Sequence, residues 1–294
     1  MQKDKRVLVL GGTGFLGSYF VTSLGKNAII HTTNSLFAGI DVNVQSMKFQ
    51  KDKKNEIEAF IEKQNCGTII NCTALADIEK CESNPDLAYW INCELAGFLS
   101  SISQAIDSKF VHISTDAVFD GTTSFRTEYD KPSPLSVYGK SKWSGEELVL
   151  KNNSHSLVAR VNFFGQSSKK PSLFNFFYDN LKLGNTFLGF SDVHFTPLYA
   201  GDLVNAILEL ISLQASGLFH VVGDERISKF DFGILIAKIF GLPTTHLKEG
   251  KISGTKGAAL RSPDLSLSND KIKSLGINLP SVRDGLSILK KEIV

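Results

Sequence analysis

Tyr138 and Lys142 stand four residues apart in the stretch Leu135-Ser136-Val137-Tyr138-Gly139-Lys140-Ser141-Lys142. On a helix this spacing puts both side chains on one face, a turn apart. A phenol ordinarily holds its proton until about pH 10. A nearby ammonium favours the phenolate and brings that proton into use nearer neutrality, as a general acid for a developing alkoxide requires. The same spacing also describes any exposed helical pair, so its meaning depends on the elements around it.

The first such element is a glycine loop. Arg6–Leu10 (R-V-L-V-L) reads as a buried parallel strand, and Phe15–Leu24 as the helix after it. Between them Gly11, Gly14 and Gly17 form G-x-x-G-x-x-G, with Thr13, Phe15 and Leu16 completing the loop. Glycines at these positions tighten the turn, let the backbone approach a pyrophosphate and let the helix pack on the strand. The helix N-terminus then offers free N–H groups to the phosphates. A dinucleotide is the expected ligand. Ala28–Thr33 reads as the second strand, and its end, His31-Thr32-Thr33-Asn34-Ser35, carries no acid. An acid there would hold the ribose of NAD and repel the 2′-phosphate of NADP, so NADP(H) is favoured, with NAD(H) the alternative.

Further strands are expected at Met47–Gln50, Thr68–Thr73, Phe110–Ser114 and Ser156–Val161, and helices at Glu56–Gln64 and Pro85–Ile106. This alternation implies an α/β fold, a doubly wound parallel sheet of Rossmann type, with ligands beyond the carboxyl ends of the strands. Thr115 stands where the fifth strand ends, 23 residues before Tyr138 in sequence. A hydroxyl there and a Tyr/Lys helix entering the same crevice can converge on one carbonyl oxygen.

With these motifs placed, the chain resembles the extended short-chain dehydrogenase/reductases, and within them the dTDP-4-dehydrorhamnose reductase family. The resemblance is carried by G-G-T-G-F-L-G at Gly11–Gly17, I-E-K-C-E at Ile78–Glu82, S-T-D-A-V-F-D-G at Ser114–Gly121 and P-L-S-V-Y-G-K-S-K-W-S-G-E at Pro134–Glu146. Weaker pieces lie at Arg261–Lys271 and Pro280–Leu286. The resemblance implies Tyr138 as proton donor to a sugar ketone, Lys142 on the nicotinamide ribose and Thr115 on the carbonyl. It implies the glycine loop on the pyrophosphate, Asp52 near the adenine, and Asn34 and Ala74 along the cofactor. The chain departs from the family where Ala117 replaces a Tyr, Phe163 a Trp and Ala76 a Thr. These positions neighbour the sugar in the family, so a wider and less polar pocket is expected. Related 4,6-dehydratases carry Asp and Glu after this Thr; here Asp116 is followed by Ala117, which argues against dehydration.

The later chain is read as a smaller C-terminal substrate-binding cap. Residues 1–172 are expected to form the NADP-binding domain, and 173–294 mostly the cap, interleaved with returns to the sheet. Asp202 is expected to cap a helix over Leu203–Ile211, and His246–Leu267 to be irregular. Arg261 is a candidate for a substrate phosphate, and Arg160 for cofactor contact or a structural ion pair. The aromatics of Ser172–Leu183 suit either core packing or a nucleotide base.

Composition sets outer limits. The 294 residues are 42% hydrophobic and 21% charged, with a net charge of +2, giving no reason to expect a nucleic-acid partner. No apolar run approaches the ~18 residues needed to span a bilayer, and the N-terminus leads into a strand rather than a signal sequence. A cytoplasmic protein, with a homodimer as one expectation, follows. Cys66, Cys72, Cys81 and Cys93 form no C-x-x-C pair and read as free thiols, His112 reads as a satisfied core residue, and no metal is expected. The leading function is reduction of a nucleotide-linked 4-keto-6-deoxy sugar. A nucleotide-sugar epimerase and a non-catalytic NADP-binding regulatory subunit, like the β subunit of methionine adenosyltransferase, stand as alternatives.

Overall fold

A computed structural model describes residues 4–32, 43–167, 171–252 and 262–293. The elements run β1 (Asp4–Leu10), α1 (Phe15–Leu24), β2 (Ala28–Thr32), β3 (Asn43–Ser46), α2 (Lys54–Lys63), β4 (Cys66–Asn71), α3 (Ile78–Ser83), α4 (Pro85–Tyr89), α5 (Leu95–Ala105) and β5 (Lys109–Thr115). They continue with α6 (Val137–Asn152), β6 (Leu157–Val161), β7 (Phe163–Phe164), α7 (Leu173–Leu183), β8 (Phe187–Phe190), β9 (His194–Phe195), β10 (Leu198–Tyr199), α8 (Ala200–Ser212) and β11 (Gly217–Val221). The chain closes with β12 (Ile227–Ser228), α9 (Lys229–Phe240), β13 (Leu247–Gly250), β14 (Asp264–Leu265), α10 (Asp270–Lys273) and α11 (Val282–Ile293).

Seven strands form the main sheet in the order β11-β6-β5-β4-β1-β2-β3. β1 pairs in parallel with both β2 and β4, β2 with β3, and β4 with β5. The order grows outward from β1 in both directions, as in a doubly wound sheet, and the reversal lies between β1 and β4. The inner strands carry short buried apolar runs, Val7–Leu10 in β1, Ala28–Ile30 in β2 and Ile69–Ile70 in β4, because both faces are covered there. Leu8, Leu10, Ile29, Ile69, Phe110 and Val158 share one core with Ile57 and Ile61 of α2 and Leu95, Leu99 and Ile102 of α5.

By its contacts the chain forms two units. The first comprises Met1–Thr115, Ser136–Ala159 and Leu208–Leu218; the second comprises Asp116–Leu135, Arg160–Ile207 and Phe219–Val294. Within the second, aromatics build a core: Phe232 meets Phe164, Phe177 and Phe195 with ring centroids at 5.3, 6.1 and 5.5 Å. Phe174 and Phe177 of α7 are fully buried, while Phe176 is exposed and Tyr178 half-buried, so half of that aromatic run is core.

Four expectations need correcting. The third strand is Asn43–Ser46, paired with β2 from Ile29↔Asn43 to Thr32↔Ser46. Met47–Gln50 lies beyond it. Its apolar residues mimic a strand, yet they pack on the core from past the strand end, where Phe49 stacks on His31 at 4.2 Å. The helix expected over Pro85–Ile106 carries a π-helical turn at Trp90–Glu94. The buried Asn92 in that turn joins Leu75 through its N–H at 2.9 Å and its carbonyl at 3.1 Å, and donates to Ser141 Oγ at 3.0 Å. Asp202 lies inside the first turn of α8 rather than before it, because the helix starts directly from β10. The stretch expected to be irregular contains β13, paired in parallel with β8, and β14, paired with β9.

Candidate active site

The loop between β1 and α1 is shaped by what its glycines lack. Gly11 adopts φ +75°, a left-handed conformation that a side chain disfavours. A β-carbon on Gly17 would stand 2.2 Å from Gly11 O, so only glycine lets α1 close onto the strand. Gly14 is exposed and donates its N–H to Gly11 O at 2.8 Å. No side chain caps α1, and no acid lies in its first turn. The positive dipole end of α1 thus has no acid or side-chain cap opposing it, which suits a pyrophosphate. Thr13 Oγ1 bonds Thr32 Oγ1 at 3.1 Å, while Leu16 is buried and Phe15 half-buried. Asp52, Ala74 and Ala76 are exposed. Asn34 and Arg261 lie outside the described residues.

Two side chains start α6 where the chemistry needs it. Ser136 caps the helix by accepting from Gly139 N–H at 3.1 Å, and Glu82 of the I-E-K-C-E run accepts from Val137 N–H at 2.8 Å. Together they satisfy two of the four otherwise open N–H groups of the first turn. Tyr138, half-buried, sits in that turn, with Lys142 one turn further on the same face. Further along, Gly145 packs against the π-helical turn; a β-carbon there would stand 2.1 Å from Asn92 O.

Lys142 is 1% exposed. Its ammonium position is defined by Ile113 O at 2.6 Å and His112 Nε2 at 3.2 Å. Burial lowers its pKa to about 8, against the charges of Glu146 and Cys72, which raise it. His112 in turn meets Asn71 Nδ2 through its Nδ1 at 3.2 Å, and Ser114 donates to Glu146. Alternate β5 residues (His112, Ser114) thus meet α6 residues four apart (Lys142, Glu146). The match is metric: two strand residues span about 6.6 Å and four helix residues about 6 Å. The sequence alone gives Asn71 and Glu146 no role and marks His112 only as a satisfied core residue, which its 0% exposure bears out. The signal that could have found them is this pairing of a two-residue polar repeat with a four-residue one. Thr115, the last residue of β5, is buried.

In the second unit, Asp116 accepts a hydrogen bond from Asn162 Nδ2. Ala117 is half-buried in the 3-10 turn Asp116–Val118, and Phe163 is half-buried in β7. Arg160 lies over the Phe119 ring at 5.0 Å and meets His220 Nε2 at 3.4 Å, a packing role within that unit. All four cysteines are free thiols. Among the described residues, no group of three or more His, Cys, Asp or Glu is placed to hold a metal, and no helix is long and apolar enough to cross a membrane.

Residues 5–293 match the family described as the RmlD substrate binding domain. The chain belongs to that family. A probable low-salt glycan biosynthesis reductase, Agl14, of Haloferax volcanii is 30% identical over 290 residues, 96% of each chain. Methionine adenosyltransferase 2 subunit beta of Rattus norvegicus is 30% identical over 287 residues, 93% of this chain and 83% of that one. Among solved structures, a hypothetical dTDP-4-dehydrorhamnose reductase from Sulfolobus tokodaii superposes with TM-score 0.83 at 32% identity, over 95% of this chain and 98% of that one. A dTDP-4-dehydrorhamnose reductase from Bacillus anthracis, in complex with NADP, shares the fold with TM-score 0.85 at 22% identity, over 99% and 100% of the two chains. The RmlD family is a branch of the extended short-chain dehydrogenase/reductases, NAD(P)-dependent oxidoreductases built on this Rossmann-type sheet.

Proposed function

We propose that this protein reduces the 4-keto group of a nucleotide-linked deoxy sugar at the expense of NADPH, with Tyr138 as the proton donor. The observation that carries the reading is the capped start of α6, which sets Tyr138 in the first turn and buries Lys142 one turn later against β5. The first unit holds the cofactor and the second carries the sugar. NADP(H) is preferred over NAD(H) because the sequence at the end of β2, His31-Thr32-Thr33-Asn34-Ser35, carries no acid.

When bound, the reduced nicotinamide supplies the hydride. The glycine loop and the uncapped N-terminus of α1 hold the pyrophosphate, and Lys142 holds the nicotinamide ribose. Thr115 Oγ1 orients the ketone oxygen by hydrogen bonding. As negative charge develops on that oxygen, Tyr138 Oη gives up its proton to it. The Lys142 ammonium stabilises the phenolate left behind, which is worth most in a water-poor site. Ala76, Ala117 and Phe163 shape a wider sugar pocket.

The test is NADPH absorbance on adding a panel of nucleotide 4-keto sugars. It should fall with one or more of them, and more slowly with NADH. A second reading, a non-catalytic NADP-binding regulatory subunit, is supported by the likeness to methionine adenosyltransferase 2 subunit beta. A stoichiometric protein partner, with no turnover on any sugar of the panel, would favour it. An epimerase would instead keep its cofactor and consume no NADPH.

A further inference from the structure

His31 stands next to last in β2, beside the place where a doubly wound sheet receives the adenosine ribose of a dinucleotide. A histidine there invites a direct role, as the cation for a 2′-phosphate. The structure gives it a different one. His31 is fully buried. Its ring stacks on Phe49 with centroids 4.2 Å apart and meets Phe60 of α2 in a T-shaped pair at 5.6 Å. Its Nε2 lies 2.7 Å from Met47 O. A carbonyl can only accept, so Nε2 carries the hydrogen and donates it. Nδ1 is buried and meets no partner among the described residues, so a second proton would find no acceptor among them. Burial lowers the ring's pKa to about 4, against the Met47 hydrogen bond, which raises it. A neutral imidazole committed to a backbone carbonyl offers a phosphate no charge.

What His31 does hold is backbone on both sides of that place. Its own carbonyl accepts from Gly12 N–H of the glycine loop at 3.1 Å. Its side chain donates to Met47 O, while Met47 N–H donates to Thr32 O at 3.1 Å. The two backbone bonds extend the β1–β2 and β2–β3 ladders past the strand ends. β3 is a polar edge strand of four residues with one neighbour in the sheet. Past its end, the His31 side chain adds a tie that the ladder does not supply.

We propose that His31 is the positioning residue for the adenosine half of the cofactor: without touching the dinucleotide, it locks the Met47–Gln50 segment and the Gly12 turn to one strand end, so that the surface meeting the adenosine is formed before the cofactor arrives. This rests on the reading of the β1–α1 loop as a dinucleotide site. Backbone that is already ordered lowers the entropic cost of binding, so the tie is felt as affinity. Because His31 acts through backbone rather than through charge, it serves NADPH and NADH alike.

The test is titration with NADPH, NADH and the adenosine half alone, adenosine 2′,5′-bisphosphate. His31→Phe keeps a ring against Phe49 and removes the Nε2–H. It should bind all three about five- to tenfold more weakly, the worth of one hydrogen bond. His31→Gln places an amide N–H at the reach of Nε2 and should restore most of the affinity, which a role in packing alone would not produce. Unchanged affinity for adenosine 2′,5′-bisphosphate in His31→Phe overturns the proposal. So does a loss confined to NADPH, which would make His31 a phosphate ligand, or a loss that His31→Gln does not recover. Wild-type protein isotope-labelled at histidine gives a second reading that needs no variant to fold. At neutral pH the His31 ring should be neutral with its hydrogen on Nε2, and its resonances should shift on adding adenosine 2′,5′-bisphosphate. A charged ring, or a hydrogen on Nδ1, overturns the proposal. Wild-type protein that binds neither dinucleotide would remove the cofactor reading itself, a failure visible before any variant is compared.

Discussion

The carbonyl oxygen of Asn92 lies so close over Gly145 that a β-carbon would stand 2.1 Å from it. The contact joins the π-helical turn to the helix that carries Tyr138 and Lys142. Backbone cannot yield as a flexible side chain can, so α6 would have to move. Gly145→Ala should lower stability by about 1–3 kcal/mol, the usual cost of overpacking. Denaturant unfolding measures this, and residual folded enzyme should show a larger loss in kcat than in cofactor affinity.

Gly17→Ala tests the cradle. Its β-carbon would lie 2.2 Å from Gly11 O, which forces α1 away from the strand. NADPH fluorescence titration should show at least tenfold weaker binding, while circular dichroism still reports the fold.

Glu82 tests how the Tyr138 turn is held. Glu82→Ala leaves Val137 N–H without its carboxylate partner. By the usual worth of a helix cap, the loss should be about 0.5–2 kcal/mol. Turnover should fall because the turn frays, and Glu82→Gln, which keeps an acceptor, should recover most of it.

The glycine loop, the strand-helix alternation and the Tyr/Lys pair were legible because each depends on local spacing. Gly11, Gly14 and Gly17 fix a turn, and Ser136 fixes a helix start. What stayed hidden depends on tertiary register. His112 looked like a core residue because it is one; only the pairing of β5 with α6 shows that Lys142 shares its cavity. Asn92 looked like an ordinary helical residue, since a π-turn changes no hydrophobic period that the sequence displays. Met47 and Phe49 suggested a strand through their apolar character, while the true edge strand, Asn43–Ser46, is polar.

Asp202 gives a pH signature. Burial first, then the charges of Asp284 and Glu292, raise its pKa from 3.8 to about 6. A carboxyl with a raised native pKa favours the folded state below its unfolded value and loses that contribution as pH rises through the native one. Asp202→Asn should therefore gain melting temperature relative to wild type between pH 4 and pH 6, and hold a constant advantage above. A difference that does not change with pH would rule out this source.

The central claim is that Tyr138 Oη delivers the proton. Tyr138→Phe removes that oxygen alone, from a helix whose caps at Ser136 and Glu82 are untouched. On a nucleotide 4-keto sugar that wild type reduces, the variant should lose about 10²–10⁴-fold in kcat, the range of general acid catalysis, while NADPH binds as before. Wild-type turnover by Tyr138→Phe would contradict the mechanism outright.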